Sequence, residues 1–280
     1  MLSVSIFKAK DLPSLWKLLP SVPRPRKYLA GGTDLVVRAK QEPQAGVSWI
    51  DVGALPELGV LRAARTSFFI GAGVKVAELE DHPEIKKWFP ALHSACAQSA
   101  CPSLKNMATL GGNCANASPA ADGACALCAE GAWAVLERFG KKRRLPVEEL
   151  FQGPGKTRLY PDELILGFEF RKTPRSGVYM RLVPRRRFAI SKVSVAVTLT
   201  KKEKTVKSLR VFMGAVGPTI LRAAGTEKYL RGRRLDLQSI REAKKIISDE
   251  CRPITDHRST AQYRRAMTGV LLARALEHFV

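Results

Sequence analysis

Two pairs of adjacent glycines, Gly31-Gly32 and Gly111-Gly112, constrain most strongly how this chain of 280 residues can fold. Short polar residues follow each pair, Thr33 and Asp34 in the first case and Asn113 in the second. Glycine lets the backbone come close to a ligand or to another segment and leaves successive N–H groups accessible. Such groups at the start of a helix suit a phosphate. The first pair alone serves a plain helix start equally well, so both interpretations stay open here.

The segment from Arg26 to Lys40 predicts a short strand, the first glycine turn and then an amphipathic helix. Thr33 and Asp34 are residue types that cap the amino terminus of a helix, where the first N–H groups point outward. This turn is therefore our first candidate for a ligand site.

The second glycine pair lies in a polar loop, Ala108 to Asp122, which combines flexible backbone with short hydrogen-bonding side chains. Those side chains belong to Thr109, Asn113, Asn116, Ser118 and Asp122. A segment of this composition is a poor candidate for a core strand and is better suited to a polar loop that surrounds a ligand. Ser118-Pro119 is predicted to open a helix. A plain surface loop is the alternative, but it gives no reason for the small, Ala-rich continuation to residue 136.

Length and composition bound the class of protein. With 45% hydrophobic residues, the chain can bury the cores of two domains. Its first residues lack the apolar run of a signal peptide, and no stretch reaches the roughly 18 apolar residues that a membrane span needs. We therefore expect a soluble, cytoplasmic protein.

The formal net charge of +22 is distributed unevenly along the chain. From residue 174 onward there are 24 Lys and Arg against 8 Asp and Glu, which supplies +16 of the total. Such a surface attracts polyanions. However, the basic residues are scattered or form short clusters, Lys141 to Arg144 and Arg185 to Arg187, without a recognisable nucleic-acid-binding motif. We expect a solvated or partner-facing surface and no nucleic-acid binding.

Five of the six cysteines fall between Cys96 and Cys128. Without a secretory signal they are expected to be thiols. Cys125 and Cys128 have the C-x-x-C spacing of metal and redox sites, whereas the surrounding small-residue helix would simply bury them. Both interpretations stay open, and no metal site is assigned. The four histidines are isolated in the sequence, and we predict no catalytic or metal-binding role for them.

Two other glycine patterns fail when they are compared with the motifs they approach. Gly71-Ala-Gly73 lacks the third glycine of a Rossmann fingerprint. Gly155-Lys156-Thr157 ends like a Walker motif, but Leu150 stands where its first glycine should be. Neither segment predicts nucleotide binding by those folds.

Taken together, the loops resemble the double FAD signature of the molybdenum hydroxylase flavoproteins, the FAD-binding subunits of the xanthine dehydrogenase and carbon monoxide dehydrogenase type. The first signature is Leu29-Ala-Gly-Gly-Thr-Asp-Leu35, and about 75 residues later come Thr109-Leu-Gly-Gly-Asn113 and Ser118-Pro-Ala-Ala-Asp122. Further matches extend the resemblance over nearly the whole chain: Phe151 to Thr157, Pro161 to Ile165, Lys192 to Val197, Gly214 to Pro218, and Tyr263 to Arg265.

The resemblance implies an α+β fold, with a two-subdomain FAD-binding domain of the carbon monoxide dehydrogenase flavoprotein and vanillyl-alcohol oxidase type and an α+β C-terminal domain. The FAD-binding domain would span residues 1–173, with a parallel-stranded subdomain at about 1–55 and a mixed or antiparallel one at 56–173. The C-terminal domain would span 174–280, because Pro and Gly interrupt the pattern near residue 174. Within it we predict strands at 194–201 and 208–216 and helices at 239–248 and 260–279.

Carried over by position, the resemblance also implies a set of cofactor-binding residues. Those expected to line the FAD pyrophosphate are Leu29, Ala30, Gly31, Gly32, Thr33, Asp34, Leu35, Thr109, Leu110, Gly111, Gly112 and Asn113. Ser118 and Asp122 would hold the ribityl and nearby hydroxyls, with Asn116 in the same loop. The backbone around Leu166 and the ammonium of Lys192 would approach the isoalloxazine, where a positive charge stabilises the reduced, anionic flavin. For Lys192, an ordinary surface lysine at a strand start is the alternative.

The implied function is that of an FAD-carrying electron-transfer subunit of a heterotrimeric oxidoreductase. A molybdopterin-binding large subunit would carry the molybdenum cofactor, and a small subunit would carry [2Fe-2S] clusters. Electrons would pass from those clusters to FAD here and then to an acceptor such as NAD, oxygen or a quinone. The basic surface would suit docking to acidic partner subunits.

Two departures from the family pattern are Lys105-Asn106, where Arg-Asn is common, and Cys125, where proline is usual. Neither removes an expected FAD contact. Two other functions remain open: a flavin-dependent oxidoreductase acting alone, and a flavin-free binding or assembly protein that uses the basic surface.

Overall fold

The computed structural model describes residues 4–42, 46–185 and 189–280. Arg186 and Arg187, which belong to the short run of arginines from Arg185 to Arg187, lie outside the described residues. Among the described helices, none has the length and apolar character needed to cross a membrane.

The chain begins with a three-stranded sheet in which all strands run parallel, in the order β1-β3-β2. Its elements are β1 (Ser5–Lys8), α1 (Leu12–Leu18), β2 (Arg26–Leu29), α2 (Leu35–Gln41) and β3 (Ser48–Asp51), with 3₁₀ turns at Leu19–Ser21 and, after β3, at Pro56–Leu58. The strand, glycine turn and helix predicted for residues 26–40 are therefore confirmed. Parallel strands need crossover connections, and α1 and α2 lie in those connections.

A five-stranded antiparallel sheet follows, in the order β4-β5-β10-β6-β7. Six helices lie between its second and third strands along the chain. The elements are β4 (Leu61–Ala63), β5 (Ser67–Gly71), α3 (Val76–Asp81), α4 (Pro83–Trp88), α5 (Pro90–Gln98), α6 (Pro102–Lys105), α7 (Leu110–Ala115), α8 (Asp122–Glu130), β6 (Trp133–Arg138), β7 (Lys141–Pro146), the 3₁₀ turn Val147–Glu149, the short hairpin β8 (Phe151–Gly153) and β9 (Lys156–Thr157), and β10 (Leu164–Arg171).

The last part is a four-stranded antiparallel sheet in sequence order, with helices packed on one face. Its elements are β11 (Ser176–Leu182), β12 (Val193–Lys202), β13 (Thr205–Gly214), β14 (Leu221–Arg222), α9 (Ala224–Leu230), α10 (Leu237–Glu250) and α11 (Ala261–Glu277). The two predicted strands and two predicted helices of this region are confirmed, with ends shifted by a few residues.

Strand β12 explains how the two hydrophobic cores are arranged. Its residues alternate between faces: Val193, Val195 and Val197 belong to the core formed with α10 and α11, whereas Ala196 belongs to the core shared with the first two sheets. Helix α8 contacts this second face of the sheet. Its residues 124–130 are all buried, which explains why the segment is rich in alanine: larger side chains would not fit between α5 and the sheet.

Candidate cofactor site

The first glycine loop lies at the carboxyl end of β2. Gly32 has φ +70°, a left-handed conformation that favours glycine, and its carbonyl accepts the N–H of Val36 at 3.0 Å. Asp34 occupies the N-cap position of α2, but its side chain makes no capping hydrogen bond. In the described parts of the chain, the N–H groups of residues 31–35 have no acceptor. The loop thus presents a row of unpaired donors, the arrangement that binds anions.

The second glycine loop packs directly against the first. A Cβ at Gly31 would lie 2.1 Å from the carbonyl oxygen of Met107, so no other residue fits there without movement of the backbone. Gly111 is held as closely, since its Cβ would lie 2.5 Å from the Cβ of Ala72. Gly31 of the first loop is therefore in contact with residues 107–108, about 75 residues later, whereas Gly111 packs against the segment that follows β5.

The N–H groups of the second loop are used within the protein. Those of Leu110 and Gly111 donate to Val74 and Ala72, at 3.2 and 2.8 Å, and that of Gly112 donates to the side chain of Thr109 at 3.0 Å. Thr109 thereby caps α7, as N-cap threonines do. The unpaired amides lie in the first loop, and the second loop supplies the surface against which that loop packs.

The polar stretch after α7 is a turn, and the prediction that Ser118-Pro119 opens a helix is wrong by a few residues. Helix α8 begins at Asp122. Before it, Ala117 has φ +47° and the N–H of Ala121 donates to the carbonyl of Ser118 at 3.0 Å, which closes the turn. The side chain of Asn113 accepts the N–H of Ala124 at 3.0 Å and so satisfies a free donor of the first turn of α8.

Asp122 joins the polar loop to the C-terminal sheet. Its carboxylate accepts hydrogen bonds from the hydroxyl of Tyr179, from Ser191 Oγ at 2.8 Å and from Arg181 Nη1 at 2.9 Å. Arg181 and Asp122 are largely buried, with side chains 6% and 12% exposed. The backbone immediately before Lys192 is therefore tied to the start of α8.

Leu166 and Lys192 are each linked to the glycine loops through neighbouring segments. The carbonyl of Leu166 accepts the N–H of Ala72 at 2.9 Å, at a bulge in β10, and Ala72 in turn holds Gly111. Lys192 lies just before β12, and its ammonium is 6.0 Å from the ring centroid of Tyr263 on α11. An unbroken set of contacts thus connects both glycine loops with Leu166 and with the segment that carries Lys192.

Residues 2–170 match the family model described as the FAD binding domain in molybdopterin dehydrogenase, and residues 178–279 match the CO dehydrogenase flavoprotein C-terminal domain. The chain belongs to this flavoprotein family. The FAD cofactor, the fold and the class of oxidoreductase subunit predicted from the sequence are confirmed by these matches.

Three relatives illustrate the match. The flavoprotein is 26% identical to the glyceraldehyde dehydrogenase medium chain of Sulfolobus acidocaldarius, over 98% of this chain and 97% of that one. It is 25% identical to the xanthine dehydrogenase FAD-binding subunit of Escherichia coli O157:H7, over 99% and 96%. The structure of carbon monoxide dehydrogenase from Hydrogenophaga pseudoflava that lacks the Mo-pyranopterin moiety of its cofactor superimposes with a TM-score of 0.93, at 27% identity, over 98% of this chain and 96% of that one.

The site residues fit the cofactor. FAD carries a pyrophosphate, and the unpaired N–H groups of residues 31–35 are donors without acceptors at the start of a helix. Short polar side chains and a half-buried lysine lie on the connected segments. Sequence reasoning missed Tyr179, Arg181 and Ser191, which organise Asp122, because no motif marks them and they are 57–69 residues away along the chain.

The cysteines of the flavoprotein are buried thiols. The burial interpretation of Cys125 and Cys128 is confirmed, since both are at most 1% exposed. Burial raises the pKa of Cys125 and of Cys96 to about 12. Within the described ranges, no group of three or more potential ligands is placed to hold a metal ion. The thiols of Cys96 and Cys125 are thus neutral and poorly nucleophilic at physiological pH.

Proposed function

We propose that this flavoprotein is the electron-transfer subunit of a heteromeric molybdenum hydroxylase, which receives electrons from [2Fe-2S] clusters of a partner subunit and passes them to an acceptor such as NAD or oxygen. The observation that carries the proposal is the row of unpaired amides at residues 31–35, held against the second glycine loop in a chain whose two parts both match flavoprotein domains.

In this proposal the first loop binds the pyrophosphate of FAD. The N–H groups of Gly31 to Leu35 donate to phosphate oxygens, and the start of α2 adds a favourable dipole. The second loop, Thr109 to Asn113, lines the opposite side and fixes the first loop in place. Asn116 and Ser118 are available for the ribityl hydroxyls. Asp122 already accepts three hydrogen bonds, which leaves about one further acceptor position on its carboxylate.

Lys192 is the residue we propose for tuning the flavin. When bound, FAD supplies the chemistry of taking up electrons singly and releasing them as a pair. No ion pair is found for Lys192 within the described structure, so its positive charge is available to stabilise negative charge on the reduced isoalloxazine. The backbone around Leu166 would also approach the isoalloxazine.

The flavin assignment is tested by the absorbance spectrum of the purified chain, with the released chromophore identified by mass spectrometry. FAD at about one per chain is the expected result. Protein that stays colourless even after incubation with FAD would contradict the proposal and would favour a flavin-free binding or assembly protein that uses the basic surface. Substrate turnover by the isolated chain would instead favour a flavin oxidoreductase that acts alone.

The role of Lys192 is tested by measuring the flavin reduction potential in Lys192→Gln and Lys192→Arg. We expect the glutamine variant to have a more negative potential, by about 30 mV for each 1.4 kcal/mol of lost stabilisation in a two-electron couple. The arginine variant should recover most of the difference because it keeps the charge. Lys141→Gln, which removes an exposed positive charge from β7, is the matched control. Equal potentials in all four proteins would refute this role.

The partners we propose are a molybdopterin-binding large subunit and a small subunit with [2Fe-2S] clusters. Relatives that match almost end to end are named medium chains or FAD-binding subunits, which supports a place in a larger assembly. We further propose domains at 1–173, subdivided near residue 55, and at 174–280, supported by the strand break between Arg171 and Ser176 and by the second core, whose buried residues all lie between Val178 and Phe279. A cytoplasmic location is proposed because the six cysteines are free thiols.

A further inference from the structure

A dense group of positive charges lies on the C-terminal part of the chain, away from the flavin loops. It is formed by the adjoining ends of β12 and β13 with the turn between them, and by the loop between α9 and α10. We call it the basic cluster, and it consists of Lys202, Lys204, Lys207, Arg231, Arg233 and Arg234, all exposed.

The basic cluster is held on a rigid frame. The N–H of Val206 donates to the carbonyl of Arg233 at 3.0 Å, and that of Gly232 donates back to Val206 at 2.9 Å. Leu235 N–H donates to the carbonyl of Lys204 at 2.7 Å. These hydrogen bonds fix the backbone of the loop to the backbone of the strand turn, so the residues that carry the positive charges are held side by side and do not belong to a loose tail.

The positive charges of the basic cluster are only partly balanced within the described residues: Glu203 lies in the same turn, and the charge of Arg234 adds to the hydrogen bonds from Ser239 in lowering the pKa of Asp236. None of its six members forms an ion pair in the described residues. Of the acids nearby in sequence, Glu203 lies in the turn and Asp236 is engaged as the N-cap of α10, where it accepts the N–H of Ser239 at 2.9 Å. Like charges fixed close together repel one another, and carboxylates from another molecule would relieve that repulsion.

A shallow cavity of about 440 Å³ opens beside the cluster, lined by Lys228, Tyr229, Arg231 and Arg233 with two glycines. The guanidinium of Arg233 lies 4.5 Å from the ring centroid of Tyr229, so this planar group lies over the aromatic ring. A fixed guanidinium beside two other positive charges suits a carboxylate, which arginine can bind through two parallel hydrogen bonds.

The position of the cluster indicates docking and not contact with the flavin. Lys192 precedes β12 and Lys202 ends it. At about 3.3 Å per residue, the strand separates the two by about 30 Å. An electron acceptor that reaches the flavin therefore does not need this surface, whereas a large partner subunit can cover it.

We infer that the basic cluster is a docking surface for an acidic face of a partner subunit, with a partner carboxylate seated in the cavity beside Arg233. This inference rests on the proposed function, because it requires the chain to belong to a complex. An acidic protein is favoured over nucleic acid because Tyr229 is the single aromatic residue lining the cavity and is already covered by Arg233, which leaves no stacking platform for bases.

The test uses the tagged chain purified from its own host at about 0.1 M salt, where charges within about 10 Å still interact. Iron and molybdenum per FAD measure the retained partners. The cluster variant is Lys204→Glu with Arg231→Glu and Arg234→Glu. The control has the same charge change on exposed lysines elsewhere: Lys17→Glu, Lys86→Glu and Lys141→Glu. We expect the cluster variant to keep its FAD but to lose iron and molybdenum by at least about tenfold, while the control keeps both.

Iron and molybdenum retained equally by the two variants would overturn the docking surface and leave the flavin function intact. If the wild-type chain carries FAD but neither iron nor molybdenum, the proposal that the chain belongs to a complex is contradicted. The proposed docking surface is then contradicted as well. Retained metals together with lost binding to a single-stranded oligodeoxynucleotide would identify a nucleic-acid surface instead. If charge reversal disturbs folding, the same three positions changed to glutamine provide the test, with metals expected to dissociate at a lower salt concentration than in wild type.

Discussion

Glu130, at the carboxyl end of α8, makes stability depend on pH in an unusual direction. Its side chain is fully buried, and Oε1 accepts the N–H of Ala91 at 2.8 Å, at the start of α5. Arg175 Nη1 lies 3.6 Å from Oε2, which has no hydrogen-bond partner. Burial raises the pKa of Glu130 from 4.5 to about 7, against the opposing effect of Arg175.

The direction of the effect follows from proton binding. Between pH 4.5 and about pH 7 the folded chain holds the Glu130 proton more tightly than the unfolded chain. The free energy of unfolding therefore falls as the pH rises through this range and levels off above it. Converted at about 1.4 kcal/mol for each pH unit, the raised pKa corresponds to about 3 kcal/mol.

Glu130→Gln isolates this contribution, because glutamine has the shape of the neutral acid and keeps an acceptor for Ala91. We expect the variant to lack the fall, so that the difference in unfolding free energy between wild type and variant changes by about 3 kcal/mol from pH 4.5 to pH 8. Wild type should be relatively more stable at the acid end. Urea unfolding followed by tryptophan fluorescence suits the measurement, since all four tryptophans lie in the first 173 residues.

Glu242→Gln is the control, because Glu242 forms an exposed ion pair with Lys245 on α10. Such pairs contribute little, about 0–1 kcal/mol. A wild-type and Glu130→Gln difference that stays constant across the pH range, or that moves in the opposite direction, would refute the reasoning.

Three further predictions address the site. Asp122→Ala leaves Arg181 buried without its carboxylate and should destabilise the fold by about 3–5 kcal/mol, measured by urea unfolding; a loss below about 1 kcal/mol would contradict the role of Asp122. Gly31→Ala places a Cβ 2.1 Å from a carbonyl oxygen and should lower bound FAD per chain, whereas Gly153→Ala, with open space around it, should not; equal FAD content would count against the close contact of the loops. Cys125 should resist maleimide labelling at pH 8 in the folded protein and react only after unfolding, as mass spectrometry of labelled peptides would report, because burial raises its pKa to about 12.

Several residues of the candidate site leave a pattern in the sequence because the backbone around them requires a particular residue type. Gly32 adopts a positive φ, Thr109 caps a helix and Gly111 faces Ala72 with no room for a side chain. Each requirement selects a residue type and therefore leaves a pattern in the sequence.

Other features left no such pattern. The start of α8 was misplaced because Ser118-Pro119 is a common helix opening, yet Asn113, five residues earlier, supplies the acceptor that fixes the first turn at Ala124. The sequence also does not show which backbone N–H groups are available to a ligand. The two glycine loops are similar in sequence, but the carbonyls of Ala72 and Val74, from a separate segment, accept the N–H groups of Gly111 and Leu110 in the second loop.

By itself, the sequence determined two central strands and two helices of the C-terminal part and the two loops that carry the FAD signature, since these depend on residue type and spacing along the chain. The tertiary structure alone decided that Tyr179, Arg181 and Ser191 meet at Asp122, that Glu130 is buried with a raised pKa, and that two separate turns combine into one basic cluster. The physical reason is that hydrogen bonds, desolvation and charge repulsion depend on distances in space, and in these cases the groups involved come from segments that only the folded chain brings together.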